Sequence, residues 1–344
     1  MASQNELISI GGASGNLQDQ RLTHVPVLVL HAHTSCNCRC VMCDIWKTTE
    51  ARSLRPSDLE PHMESIRRLG VRWVVFSGGE PLLNREWPLL CSMLQREQIR
   101  LTLLTTGLLL GKYAAQVAES FDDAIVSLDG PEKIHNVIRR IDNAFGLLQS
   151  GAAAIRQVRP SFAITARTTI QKANHAYLRE TLAAAKQSNL NGISFLAADI
   201  TSEAFNRPQG WSSDRQSEVA LSAGEVSVLD VEIESLIAEH ANDIASGFIA
   251  ESPQRLRRIV AHFRAHLGLG RTESPRCNAP WSSAVIETDG TVRPCFFHRP
   301  IGNIHKTQLE EILNGETALA FRAALDVRNN SICNRCVCSL NYRF

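Results

Sequence analysis

The chain has 344 residues, 44% of them hydrophobic and 21% charged, with 36 Lys and Arg against 35 Asp and Glu and a net charge of +1. This is material for one large domain or two ordinary ones with a substantial core. The near-zero charge excludes bulk attraction to nucleic acid or a membrane surface, and no apolar run is long enough to span a bilayer. Ten cysteines are far fewer than a disulfide scaffold carries. Met1 to Gln20 is polar and lacks the apolar core of a secretory signal. A reducing, cytoplasmic setting is expected.

From Val27 to Ala198 short apolar runs alternate with longer amphipathic ones. The pattern predicts strands at Val27–Ala32, Trp73–Ser77, Arg100–Thr105, Ala124–Leu128, Ser161–Ile170 and Ile193–Ala197. Helices are predicted at Pro56–Leu69, Glu86–Glu97, Tyr113–Ser120, Pro131–Gln149 and His175–Gln187. Strands and helices in strict alternation imply parallel strands with right-handed crossovers, in a doubly wound sheet or a barrel. Polar motifs fall at the carboxyl ends of consecutive strands, where parallel α/β proteins place their sites. Cysteines 36–43 follow the first strand and Gly78-Gly79-Glu80-Pro81 the second. Thr105-Thr106-Gly107 ends the third, and Ser127-Leu128-Asp129-Gly130 the fourth. Motifs after so many neighbouring strands surround one mouth of a barrel. Residues 199–275 read as a loop, Asp199–Asp214, followed by helices at Gly224–Ile244 and Pro253–Leu267. The last stretch, 276–344, holds five of the ten cysteines. The chain thus divides into an N-terminal extension (1–25), a barrel (26–198), a bridging helical segment (199–275) and a cysteine-rich C-terminal region (276–344).

Cys36, Cys40 and Cys43 form a C-x3-C-x2-C run with Cys38 inside it. Three thiolates on one short loop can hold three corners of a cubane iron–sulfur cluster. Such clusters normally take four cysteines, so three leave one iron open for chemistry. A zinc site or a disulfide pair is the plainer alternative. Two features of the Gly79-Glu80 turn suit an ammonium group: glycine permits close backbone approach, and a carbonyl or the Glu80 carboxylate can accept from it. Arg167 on the fifth strand, if inward-facing, suits a carboxylate bidentately; otherwise it is a surface arginine. Cys277 is followed by twelve residues, Gly290, four more and then Cys295, with Cys333-x2-Cys336-x-Cys338 far downstream. Four such thiolates can close every corner of a second cluster, or hold a structural zinc. Ile286 to Val292 reads as a hairpin with Asp289-Gly290 at its turn. Cys91 reads as a small core residue and Cys38 as a bystander or alternative ligand. Cys338 competes with Cys336, which the C-x2-C spacing favours. His31 and His33 read as packing or supporting residues.

The cysteine loop, followed one βα unit later by Gly78–Pro81, resembles the signature of the radical S-adenosylmethionine (radical SAM) enzymes. Cys277 to Cys338 resembles the twitch region of the SPASM/twitch subfamily. The resemblance implies an α/β fold: a partial (βα)6 TIM-like barrel with a small cysteine-rich, twitch-like α+β extension. It implies a SAM-binding 4Fe-4S cluster on Cys36, Cys40 and Cys43, with Met42 where relatives carry an aromatic or other apolar residue. Gly78, Gly79, Glu80 and Pro81 would hold the SAM amino group, Ser127 and Asp129 its ribose, and Arg167 its carboxylate. Thr106 departs from the Asn common in relatives. An auxiliary 4Fe-4S cluster would sit on Cys277, Cys295, Cys333 and Cys336; a second auxiliary cluster would need further cysteines. The implied reaction is reductive cleavage of SAM to a 5′-deoxyadenosyl radical that abstracts a substrate hydrogen atom. It calls for a reductant such as flavodoxin or ferredoxin. The favoured outcome is oxidation of a small molecule, with the auxiliary cluster accepting the electron, since about 25 residues before the first strand are too few for a leader-binding core. Redox-neutral epimerisation, decarboxylation or rearrangement, with Cys38 or Cys338 as thiol donor, and peptide modification are alternatives. An iron–sulfur electron carrier is the non-enzymatic one. No catalytic acid or base stands out.

Overall fold

The computed structural model describes residues 17–271 and 274–343, so much of the segment 1–25 lies outside the described residues. Nine strands form one sheet: β1 (Val27–His33), β2 (Trp73–Gly78), β3 (Arg100–Thr105), β4 (Asp123–Ser127), β5 (Ala163–Ile170), β6 (Gly192–Ala197), β7 (Ser283–Ile286), β8 (Thr291–Arg293) and β9 (Gly302–Asn303). Their order is β6-β5-β4-β3-β2-β1-β7-β8-β9. The six strands β1 to β6 are parallel neighbours in sequence order. Helices intervene between them, and the sheet does not close: this is a partial (βα)6 barrel.

Alternation along the strands sets the two faces. In β5, Ile164, Ala166, Thr168 and Ile170 are buried, while Thr165, Arg167 and Thr169 are only half-buried. Ile164, Ala166 and Ile170 pack with Leu28, Leu30, Val74, Phe76, Leu101, Leu103 and Phe195 into one core. The half-buried set lies on the opposite face, in register from strand to strand: Ser127 pairs with Arg167, and Arg167 with Ser194.

The cysteine-rich end does not form a sheet of its own. β7 pairs in parallel with β1, on the side away from β2, and the hairpin β7–β8 continues antiparallel to β9. All four residues of β7 are buried, as a strand covered on both faces requires. The barrel sheet and the C-terminal region are therefore continuous.

Three predicted helices are divided. Pro131–Gln149 is two helices, Glu132–Arg139 and Ala144–Val158, with Arg140 left-handed at φ 54°. The side chain of Asn136 closes the intervening turn, donating to Asp142 O at 2.7 Å and accepting from Phe145 N at 2.9 Å. Pro56–Leu69 carries a 3-10 turn at Glu60–His62, where Pro61 supplies no N–H. Gly224–Ile244 breaks at His240 into Ala223–Glu239 and Ala241–Ala245.

Phe76 is fully buried and meets Phe121 edge-on at 5.2 Å. Truncation to Ala should lower stability by about 3–5 kcal/mol, read as a shift of the urea unfolding midpoint. A loss under about 1 kcal/mol would mean the core collapses around the gap.

Candidate active site: two cysteine groups beside one cavity

The carboxyl ends of β1 and β2 make an unusually close contact. The strands run in register to His31–Ser77 and then slip at His33–Gly78. Gly79 N donates to His33 O at 2.8 Å and Glu80 N to Ser35 O at 2.9 Å. A Cβ at position 78 would lie 2.6 Å from His33 O, and one at 79 would lie 2.1 Å from Ser35 O. Gly78 also holds φ +117°, which side-chain-bearing residues avoid. Both glycines are therefore required to lay this loop against the backbone just before Cys36.

Glu80 turns inward. It is fully buried, and it accepts from the Thr105 hydroxyl at 2.9 Å, Thr106 N at 2.8 Å and Leu82 N at 3.1 Å. The Thr106 hydroxyl lies 2.7 Å from Glu80 Oε2 and 3.0 Å from Asn37 Oδ1. Burial raises the Glu80 pKa against these hydrogen bonds. The carboxylate is thus occupied as a brace from β2 to β3, and Pro81 is buried beside it. Thr106, out of pattern in sequence, has a role: it joins the brace to the cysteine loop through Asn37.

Asp129 is also engaged within the protein. It is fully buried, with Oδ2 2.5 Å from Arg139 Nη2 and Oδ1 accepting from Thr169 N at 2.9 Å. Its carboxylate holds an arginine. Arg139 Nη1 in turn donates to Cys40 Sγ at 3.4 Å. Arg39 N and Val41 N donate to Arg139 O and Ile138 O, so the end of the helix Glu132–Arg139 pins the cysteine loop. Ser127 stays half-buried on the inner face, beside Arg167. Arg167 Nε lies 3.4 Å from Ser194 Oγ, and its charge acts on Glu251 and Cys338. It belongs to the inner face of the sheet, not to a free surface.

Cys36, Cys40 and Cys43 pack in one cluster with Cys38, Met42, Ile138 and Ile200. Cys38 hydrogen-bonds to Cys36 and Cys40; these bonds raise its pKa and lower that of Cys40, which Arg139 lowers further. Burial pushes Cys43 up to about 12. Soft sulfur donors beside a buried guanidinium fit a thiolate-bound iron–sulfur cluster. Gln171, directly after β5, is fully buried and has neither end of its carboxamide partnered among the described residues. Sequence reasoning missed Gln171 and Arg139, for which no motif exists.

The second cysteine group assembles from distant segments. Cys295 is under the influence of Cys277 and Cys333, Cys333 of Cys277, and Cys336 of Cys338, Cys295 and Cys277. Burial raises Cys295 to about 12 and Cys333 to about 11. The His298 ring, missed in the sequence, has Nε2 3.4 Å from Cys333 Sγ. Cys338 is under the influence of Arg167, Cys277 and Arg255, and its carbonyl accepts from Cys336 Sγ at 2.5 Å, so it stays beside the second group; Cys91 is buried in the core on the helix Trp87–Gln95. Among the described residues no three His, Cys, Asp or Glu side chains converge as ligands of a single ion.

One cavity of about 970 Å³ is lined by Cys336 of the second group and by Gly78 and Gly79, whose backbone abuts the turn just before Cys36; none of Cys36, Cys40 and Cys43 lines it. His31, His33, Gly78 and Gly79 line it on one side, Phe296, His298 and Cys336 on the other. Burial lowers the His31 pKa to about 4, so its imidazole is neutral at pH 7.

Residues 32–191 match the radical SAM superfamily model, and residues 277–337 match SPASM, an iron–sulfur cluster-binding domain. A probable GTP 3′,8-cyclase of Methanococcus maripaludis is 35% identical over 98 residues, 27% of this chain and 33% of that protein. The corresponding protein of Methanococcus vannielii is 30% identical over 108 residues, 30% of this chain and 36% of that one. The chain spans about a third of the length of these curated relatives. Streptococcus suis SuiB bound to precursor peptide SuiA shares the fold at TM-score 0.64 and 14% identity, over 94% of this chain and 74% of that one. So does anSMEcpe with bound AdoMet and Cp18Cys peptide, at TM-score 0.63 and 19% identity, over 90% of this chain and 87% of that one.

The inward bracing is testable without any ligand. Glu80→Gln places an amide N–H₂ against hydroxyl and amide donors and should cost about 1.5–3 kcal/mol of stability. Asp129→Ala strands the Arg139 charge and should cost about 3–5 kcal/mol. Urea unfolding of the metal-free chain checks both. Wild-type stability would return these carboxylates to a ligand-facing role.

Proposed function

We propose, from the premise that this chain belongs to the radical SAM superfamily and carries a SPASM-type iron–sulfur cluster-binding domain, that it oxidises a compact substrate held between two clusters. Cys36, Cys40 and Cys43 hold a 4Fe-4S cluster with one iron left for SAM. Cys277, Cys295, Cys333 and Cys336 hold an auxiliary one. When bound, the first cluster and SAM supply one-electron reductive cleavage and the radical that takes a substrate hydrogen atom.

The observation that supports this reading is a cavity lined by Gly78 and Gly79, next to the first cysteine loop, at one side and by Cys336 at the other. A substrate there meets the radical source and an electron acceptor together, which suits oxidation. An electron carrier has no need of such a space. Its volume, about 970 Å³, lies at the upper end for small-molecule clefts, which favours a small molecule over a long peptide.

The chain's own residues orient SAM. The backbone of Gly78 and Gly79 receives the ammonium group. Arg167 takes the carboxylate bidentately, and Ser127 beside it offers a hydroxyl. The Gln171 carboxamide presents a donor and an acceptor edge to the adenine ring, the pairing that amide side chains make with adenine. Neutral His31 and the rings of Phe205, Phe296 and Phe297 give the cavity one apolar wall. A flavodoxin- or ferredoxin-like donor supplies electrons. Among the described residues no helix is long and apolar enough to cross a membrane, and oxygen-sensitive clusters suit a reducing cytoplasm.

Anaerobic reconstitution should give about eight irons per chain, in two cubanes. Changing Cys36, Cys40 and Cys43 together to Ala should halve the iron and abolish 5′-deoxyadenosine formation with dithionite. Changing Cys277 and Cys295 to Ala should also halve the iron yet spare slow SAM cleavage. Iron unchanged in the first variant, or zinc in place of iron at the second site, contradicts the assignment. Gln171→Leu should weaken SAM binding by about 1–3 kcal/mol; wild-type affinity by calorimetry would remove it from the adenine site.

A further inference from the structure

The segment that leaves β6 doubles back over the cysteine loop. Arg207 within it is 2% exposed. Its Nη1 donates to Asp199 O at 2.8 Å and to Asp199 Oδ2 at 2.9 Å, and its Nη2 to Met42 O at 2.6 Å. The guanidinium lies 3.6 Å from the centroid of the Trp211 ring and 5.0 Å from that of Phe205. Neighbours act in parallel. Trp211 Nε1 donates to Asp44 Oδ2 at 2.6 Å, Asn206 Nδ2 to Asp44 O at 3.2 Å, and Arg215 to Val41 O. The carbonyls of Val41, Met42 and Asp44, which flank Cys43, are thus all held by one strap.

The strap also forms a wall of the cavity. Phe205, Asn206 and Arg207 line it. Phe205 and Asn206 both hold left-handed backbone, φ 60° and 61°, a conformation costly for a bulky side chain and retained where the surroundings enforce it. The Phe205 ring packs on Phe296 at 4.8 Å and Phe297 at 6.2 Å, the two residues after Cys295. Phe296 also meets His31 on β1, at 5.3 Å.

We infer that Arg207 is a positioning residue for the cysteine loop, and that Phe205 couples the aromatic wall of the cavity to that loop through it. A group pressed against Phe205, Phe296 and Phe297 would hold Phe205 in its left-handed state and keep the guanidinium seated on Met42 O. An apolar or aromatic part of the substrate is the chemistry such a wall receives. The inference rests on the reading that Cys36, Cys40 and Cys43 hold the first cluster. It goes beyond that reading in making cluster geometry depend on a residue of the cavity wall.

The test uses the full chain, reconstituted anaerobically, reduced with dithionite and examined by electron paramagnetic resonance with and without SAM. Arg207→Lys keeps the charge but loses the planar fork that serves Asp199 and Met42 together. It should alter the first-cluster signal and its change on SAM addition, and slow abortive SAM cleavage roughly tenfold. Phe205→Leu should shift the same signal in the same direction, by less, with iron content intact. Loss of one cluster from an Arg207 variant with unchanged circular dichroism also supports the assignment. Should the Arg207 variant fail to fold, the Phe205 variant decides alone. Wild-type spectra and cleavage rates with full iron in Phe205→Leu would overturn the coupling, and the same result in Arg207→Lys would overturn the positioning role. A wild-type chain that loads iron on the first loop but never cleaves SAM would sink the radical reading instead, and the spectra would still report on Arg207.

Discussion

The site depends on one close backbone approach. Where β1 ends, the chain must turn into a cysteine loop, and where β2 ends, the next loop must lie flat against that turn. No side chain fits between them: added Cβ atoms at 78 and 79 would fall 2.6 Å and 2.1 Å from carbonyl oxygens. Two glycines solve the packing, but glycine backbone is free to move. The polar residues at the following strand ends restrain it. Glu80 ties β2 to β3 through Thr105 and Thr106, and Thr106 reaches Asn37. Asp129 ties β4 to β5 through Thr169 and, through Arg139, reaches Cys40. Consecutive strands each contribute a strut to the same loop.

This division of labour has an electrostatic logic. A buried carboxylate is costly unless it is fully hydrogen-bonded or paired. Both carboxylates meet that condition inside the barrel wall, so they can be desolvated without facing the cavity. The cavity itself is lined by aromatic rings, imidazole and backbone on some sides and by charged side chains such as Arg52, Arg207 and Arg293 on others. The continuation of the sheet through β7 then fixes the second cysteine group relative to the first: β7 is hydrogen-bonded to β1, the strand that launches the first cysteine loop. His298, between β8 and β9, reaches the cavity from this continuation, and Cys336 from the segment after the helix Ser331–Asn334.

The strand positions were legible because buried parallel strands write themselves as short apolar runs, and all six fall within two residues of their predicted starts. The cysteine groups were legible from spacing. The orientation of Glu80 and Asp129 was not. Each points to partners on the next strand, some 25 to 40 residues away, which local sequence does not encode. Arg139 escaped because its contact with Cys40 joins residues 99 apart in sequence, which no local pattern encodes. Arg207 lay in a stretch marked only by Pro208 and Gly210 as loop. Its neighbours Phe205 and Asn206 adopt a backbone that their residue types do not announce. Gln171 carries no motif; only its burial without partners singles it out.

The central claim is that the loop of Cys36, Cys40 and Cys43 leaves one iron for SAM, beside the Gly78–Gly79 backbone. Electron–nuclear double resonance on the reduced protein tests it directly, using SAM labelled with ¹⁵N at the amino group and ¹⁷O at the carboxylate. The account predicts hyperfine coupling from both labels in the wild-type chain, and its loss when Cys36, Cys40 and Cys43 are replaced. A cluster signal identical with labelled and unlabelled SAM would contradict it.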